Sequence, residues 1–260
     1  MQKKKFRTKS SKPFKVKQEY LYGINPVFEA LQAKRRKFFT IYTTEQVFKK
    51  KNVIFRIAEE RNIPVDILDK KEISKLVDRE DHQSVIALVS CYTCLNAEKF
   101  VERILAAAPA HLPDVLMVDN VQDTNNTAAV LRTSEVLGLN TVILNEVSEG
   151  VIRPVISKRS AGAVEYLDIV APKNSTSILQ ALKERKYSIY GLDAKGKNSI
   201  DDTKFSRPFC IIIGSEAGGV RDKVKKFCTS LVTIPQKGRV NSLNLASAAA
   251  IAVFTAMRKY

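Results

Sequence analysis

The chain has 260 residues, with 43 Lys and Arg against 27 Asp and Glu, and a formal net charge of +16. That excess points to a polyanionic partner, and so to nucleic acid. The 45% of hydrophobic residues supply a folded core, while the longest apolar stretch, Leu245 to Met257, is broken by Ser247 and Thr255 and falls short of the roughly 20 residues of a membrane span, so no membrane partner is expected.

Residues 1–18 carry Lys3, Lys4, Lys5, Arg7, Lys9, Lys12, Lys15 and Lys17 and no acid. Such a segment reads as a disordered basic arm suited to RNA phosphates. Its composition also suits an organellar targeting sequence, so a mitochondrial location is expected, with the cytoplasm as the alternative. Residues 19–91 alternate helix and strand. Asn25-Pro26 opens a short helix over 27–32, strands are expected at 38–42, 64–68 and 84–89, and helices at 53–60 and 72–77. Residues 92–113 read as a linker with an amphipathic helix around 97–107 and a break at Ala108-Pro109-Ala110-His111-Leu112-Pro113. Residues 114–260 form a second domain, with strands at 115–118, 141–144, 166–170, 188–192, 209–213 and 230–234 and helices between several of them. This alternation predicts an α/β fold with a parallel sheet, helices on both faces, and ligands beyond the carboxyl ends of the strands. Cys91-Tyr92-Thr93-Cys94 is formally a CxxC, but no second pair stands at zinc spacing. The four cysteines are read as packing residues in a reducing compartment, and no metal site is expected.

Three stretches of the second domain carry candidate chemistry. In Asp123–Thr133, a helical wheel puts Val130, Ser134 and Leu137 on one face and Ala128 and Arg132 on the other, so Arg132 lies off the core stripe beside a small residue. Gly214-Ser215-Glu216-Ala217-Gly218-Gly219 follows a strand, and small residues there let backbone approach a ligand closely. It is not GxGxxG, so a Rossmann dinucleotide site is unsupported. In Ile234–Asn244, Ser242 is placed to cap the Ala-rich helix that follows. That helix is apolar around most of its circumference, which predicts burial in a fold or an interface. Asn244 at its start needs a hydrogen-bond partner.

In this order, Asn126-x5-Arg132-Thr133, Gly214-Ser215-Glu216 and Ile234-Pro235-x2-Gly238-x3-Ser242-Leu243-Asn244 resemble the three signature motifs of the SpoU family of RNA ribose 2′-O-methyltransferases, over about residues 114–258. Arg153–Ala163 is similar to the loop that follows the first motif. Leu21–Val27 and His82-Gln83 resemble the amino-terminal substrate-binding domain, of ribosomal-protein-L30e type, in the branch that modifies a guanosine of large-subunit rRNA and has a mitochondrial member. The resemblance implies a SPOUT fold with a deep trefoil knot, a homodimer sharing its active site, and S-adenosylmethionine as methyl donor. It implies Asn126, Arg132, Glu216, Ser242 and Asn244 as active-site residues, and Gly214, Glu216, Gly219, Ile234, Ser242, Leu243 and Asn244 around the cofactor. Lys34, Arg35, Arg36, Lys50, His82, Arg153 and Lys158 are the candidates for gripping RNA. A guanidinium stays protonated, so Arg132 is read as a clamp on the target phosphate. The sequence departs from the family pattern at Thr124 (usually proline) and at Ala128, Ala217 and Ser84 (usually glycine). The alternatives are a transfer-RNA substrate, or a non-catalytic RNA-binding protein on a decayed methyltransferase fold.

Overall fold

The structure, a computed structural model, describes residues 16–50, 53–121, 123–145, 152–215, 218–240 and 242–258. Most of the basic arm (residues 1–15) and the Glu216-Ala217 pair lie outside them.

The first half folds as β1 (Gln18–Tyr22), α1 (Ile24–Ala33), β2 (Phe38–Thr43), α2 (Glu45–Lys49), α3 (Val53–Glu60), β3 (Val65–Ile67), α4 (Lys70–Val77) and β4 (Val85–Ser90). The strands form a mixed sheet in the order β1-β4-β2-β3, with β4 antiparallel to both neighbours and β2 parallel to β3. Side-chain alternation along β4 explains its unbroken apolar run. Val85, Ala87 and Val89 face Val27 and Leu31 of α1 and Ile54 and Ala58 of α3, while Ile86 faces Ile73 of α4. Helix α4 starts with a capping box, in which the Asp69 carboxylate accepts from the Glu72 amide at 2.7 Å and Glu72 returns the bond at 3.0 Å. Strand β1, whose Gln-Glu start carries little strand signal, is the main element the sequence pattern missed.

The second half comprises α5 (Ala97–Ala106), β5 (Val115–Asp119), α6 (Thr124–Val136), β6 (Thr141–Asn145), α7 (Pro154–Arg159), a 3-10 turn over Ala163–Tyr166, β7 (Asp168–Val170), α8 (Thr176–Glu184), β8 (Ser188–Leu192), β9 (Asn198–Ser199), β10 (Phe209–Ile213), α9 (Asp222–Lys225), β11 (Ser230–Thr233) and α10 (Leu245–Arg258). Its strands form a seven-stranded sheet, β7-β6-β5-β10-β8-β11-β9, in which every pairing is parallel. Both faces are covered. Leu116, Val118, Ile211 and Ile213 pack with α6 and α10, while Val115, Met117, Cys210 and Ile212 pack with α5 and α8. Helix α5 therefore belongs to this layer: Phe100 and Ile104 are buried in it, so much of the expected linker is core. The sheet grows outward from β5 through β6 to β7, then resumes beyond β10, which places a topological switch between β5 and β10.

A buried polar network joins the two sheets, and it corrects part of the expected RNA surface. Arg36 is 6% exposed. Its Nε and one terminal nitrogen donate to the two Glu165 oxygens, both at 2.8 Å, and its other terminal nitrogen meets Glu19. Ser157 also donates to Glu165, at 3.0 Å. Arg35 spends its guanidinium on the Leu167 carbonyl at 2.7 Å and on Asp168. The Tyr92 and Tyr166 hydroxyls donate to the Leu167 carbonyl and to Glu29. His82 is fully buried, hydrogen-bonded to Ser74 at 3.0 Å and accepting from the Ser84 amide at 2.9 Å. Arg36 and His82 are thus structural and not RNA contacts, because neither presents a donor to solvent. Removing one partner of a buried charge pair strands the other, at about 3–5 kcal/mol. Arg36→Ala is therefore expected to lower the unfolding free energy by about 3–5 kcal/mol in urea, and the double replacement Arg36→Met, Glu165→Leu should recover much of it. A loss for Arg36→Ala below about 1 kcal/mol would deny this role.

Candidate active site

The carboxyl ends of β8, β10 and β11 open into a cavity of about 130 Å³. Its wall comprises Leu192 and Asp193 after β8, Ile213, Gly214, Ser215 and Gly219 after β10, Ile234 and Gln236 after β11, and Ser242, Leu243, Leu245 and Ala248 at the start of α10. Gly214, Gly219, Ile234, Ser242 and Leu243, all expected at the cofactor, are brought together here. Gly214 is required by the close return of the loop on itself. A Cβ there would stand 1.8 Å from the carbonyl carbon of Gly219 and 2.1 Å from the Val220 amide nitrogen.

The first and third motifs meet beside this cavity. Asp123 caps α6, its carboxylate accepting from the Asn126 amide at 2.7 Å. The Asn126 side-chain oxygen in turn accepts from Asn244 Nδ2 at 3.0 Å. Asn244 Oδ1 accepts from the Ala246 and Ser247 amides at 2.9 and 3.4 Å. Asn244, and not Ser242, therefore caps α10, and its partner is the expected active-site Asn126. Asn244 is exposed on the protein surface, so the penalty of a dry amide does not arise.

Arg132 does not line this cavity wall. It sits six residues along α6 from Asn126, about 9 Å in axial rise, on an outward stripe with Asn125, Ala129 and Val136. Ala128 is 1% exposed and packs in the core, so its methyl does not narrow a ligand site. Helix α10 lies along α6 and is buried on one face only: Ile251 and Phe254 are 38% and 50% exposed on the other. Glu216 lies outside the described residues. Lys34, Lys50 and Arg153 are exposed, and Lys158 is half-buried.

Sequence reasoning missed one group at this edge. Asp119 ends β5 fully buried, accepting from Arg221 Nε at 2.9 Å and from Asn145 Nδ2 at 2.8 Å. Burial acts to raise the Asp119 pKa, but the hydrogen bonds from Arg221 and Asn145 outweigh it and hold the carboxyl below its ordinary value. This clamp ties the residue after the Gly214–Val220 loop to the sheet. A carboxylate closing an otherwise apolar strand was the available signal, because a buried charge demands partners. Burial pushes the Cys94 and Cys228 thiols up to about 11, which keeps them protonated and unreactive.

The donor set suits S-adenosylmethionine. Leu192, Ile213, Ile234, Leu243 and Leu245 offer an apolar slot for a flat ring, and loop backbone at 214–215 and 234–237 borders it outside any helix or strand. The Asp193 carboxylate at the rim is already held by Lys225 at 2.6 Å, which pulls it below its ordinary pKa.

The SpoU rRNA Methylase family matches residues 113–254, and the family described as RNA 2′-O ribose methyltransferase substrate binding matches residues 20–93. The chain belongs to the SpoU rRNA Methylase family. It is 28% identical over 242 residues to the 23S rRNA (guanosine-2′-O-)-methyltransferase RlmB of Pseudomonas putida, covering 93% of this chain and 96% of that one. It is 30% identical over 208 residues to a Staphylococcus saprophyticus relative ascribed to the TrmH family of tRNA/rRNA methyltransferases, covering 80% and 82%. Among solved structures, the SpoU methyltransferase AviRb from Streptomyces viridochromogenes in complex with AdoMet superposes with a TM-score of 0.76 at 20% identity, covering 93% of this chain and 90% of that one.

Because the Gly214 loop leaves no room for a methyl group, Gly214→Ala is expected to weaken binding of S-adenosylmethionine at least tenfold, from an overpacking cost of about 1–3 kcal/mol. Calorimetric titration of protein whose circular dichroism is unchanged measures this, and wild-type affinity would contradict it.

Proposed function

We propose that this protein transfers the methyl group of S-adenosylmethionine to the ribose 2′-hydroxyl of a guanosine in large-subunit ribosomal RNA. The observation that carries the reading is the meeting of Asn126 with Asn244 beside the cavity that Gly214, Ile234 and Leu243 line. The similarity to RlmB runs through both halves of the chain, amino-terminal domain included, and supports the ribosomal reading. The chain from Gly214 to α10 forms the trefoil knot of the SPOUT fold in this reading, and the first domain is of L30e type.

When bound, the cofactor supplies a methyl group already activated on a sulfonium, so the protein's task is alignment and removal of one proton. Gly214, Ile234 and Leu243 hold the donor. Asn126, fixed by Asn244 and by its own position in the first turn of α6, orients the ribose. Arg132 clamps the phosphate beside the target nucleotide and stabilises negative charge developing on the ribose oxygen, whose proton passes to that phosphate or to water. Since Arg132 does not line its own cavity, a second copy of the chain supplies it. The outward stripes of α6 and α10, with Val136, Ile251 and Phe254 exposed, are the homodimer surface.

Incubation with S-adenosylmethionine carrying a labelled methyl group and unmethylated large-subunit rRNA is expected to place label in an alkali-resistant dinucleotide containing guanosine, and to leave transfer RNA unlabelled. Arg132→Lys should cut the rate at least tenfold, since lysine cannot form the bidentate fork, while leaving cofactor affinity nearly unchanged. Label on a base, or on transfer RNA alone, would contradict the reading.

The dimer has its own test. Phe254→Asp is expected to give a folded monomer by sedimentation that binds RNA but transfers no methyl group. A dimer of full activity would remove α10 from the interface.

A further inference from the structure

The seam between the two halves holds a cationic group that neither the cavity nor the buried Arg36 network uses. Lys158 on α7 donates to Gln83 Oε1 at 2.8 Å, and the same oxygen accepts from the Ile24 amide at 3.2 Å. Arg159, the next residue, is exposed and donates to Thr124 Oγ1 at 2.7 Å, two residues before Asn126. Arg79 stands over the Tyr22 ring at 5.5 Å, and its charge reaches Lys158. Lys158 and Arg159 are thus bonded to neutral oxygens, unlike Arg36, Arg103, Arg207, Arg221 and Lys225, which all meet carboxylates. Asp81 is the carboxylate these groups feel, and it is held by Arg79 at 2.9 Å. Burial, with Arg79 adding to it and Asp81 opposing, keeps the Lys158 ammonium below its ordinary pKa. An anion there would relieve both effects.

Two further observations mark the place. The Tyr22 hydroxyl, under Arg79, is buried with no hydrogen-bond partner among the described residues, which is costly for a hydroxyl unless a ligand supplies an acceptor. Gln83 and Ser84 adopt left-handed φ of 56° and 55°. Two such non-glycine residues in succession are strained, and contacts such as those of Gln83 with Lys158 and of the Ser84 amide with His82 hold them there. Close packing fixes the geometry from the other side, since a Cβ on Gly23 would lie 2.7 Å from Lys158 Nζ.

We propose that Arg79, Lys158 and Arg159 form a phosphate track across the domain seam, which carries an RNA strand from the amino-terminal domain to Asn126. The track rests on the RNA reading above and extends it. It shifts RNA recognition away from Arg36 and His82 to the exposed Arg79 and Arg159 and the half-buried Lys158. Phosphate contacts of this kind give position and affinity without reading bases.

The test is fluorescence anisotropy with a labelled random-sequence single-stranded RNA, over a series of KCl concentrations. Arg79→Gln, Lys158→Gln and Arg159→Gln are each expected to weaken binding several-fold at low salt and to reduce the slope of log K against log[KCl] by about 0.7–1. Lys158→Arg and Arg159→Lys should keep the wild-type slope, as should Lys99→Gln on α5 across the second sheet. Wild-type affinity and slope in all three neutral variants would overturn the track. So would equal losses in the charge-preserving variants, because the side chains would then act as staples between domains. Absence of salt-dependent RNA binding by the wild-type protein would instead sink the RNA reading itself, and the track with it.

Discussion

Strand β10 enters the second sheet between β5 and β8, and the site depends on that insertion. The connections from β5 run one way across the sheet and those after β7 run the other, so the loop after β10 leaves the switch point on the side of β8 and β11, whose loops wall a crevice with it at the carboxyl edge. Every motif loop then has its place. The Gly214 loop leaves β10 at the crevice, the 234–244 segment passes over it from β11, and α6 starts on its far side at Asp123. The chain closes the arrangement by laying α10 along α6, where Asn244 caps one helix and grips the other.

The polar groups around that crevice divide by what they meet. Asp119, Arg221 and Asn145 pin the loop after β10 to the end of β5, and Asp193 with Lys225 does the same at β8. These charges are consumed internally and stiffen the walls. Asn126, Ser242 and Gln236 stay accessible beside or within the cavity. Preorganised walls with a few open polar groups suit a reaction whose donor is already activated, because alignment is most of what remains to be supplied.

Much of this was legible in the sequence. The strands at 115–118, 141–144, 188–192 and 209–213 fell where apolar runs of strand length predicted them, because a parallel sheet covered on both faces leaves no polar alternation to confuse the pattern. Gly214, Gly219, Ile234, Ser242 and Leu243, which line one cavity, were legible as a set through motif order. What stayed hidden were side chains whose role is set by the other half of the chain. Arg35 and Arg36 sit in a Lys-Arg-Arg-Lys run that reads as solvent-facing, and only the docking of α1 on the 3-10 turn at 163–166 shows Arg36 meeting Glu165. His82 reads as polar surface until its turn folds beneath α4. Arg132 was legible as lying off the core stripe, but sequence could not show that it stands outside the lining of the cavity.

The most direct measurement is a crystal structure with S-adenosylhomocysteine, the product of the donor. The ligand is expected in the cavity walled by Gly214, Ile234 and Leu243, with Arg132 of a second copy of the chain facing its sulfur. A ligand bound elsewhere, or one in this cavity with Arg132 of both copies remote from it, would contradict the account.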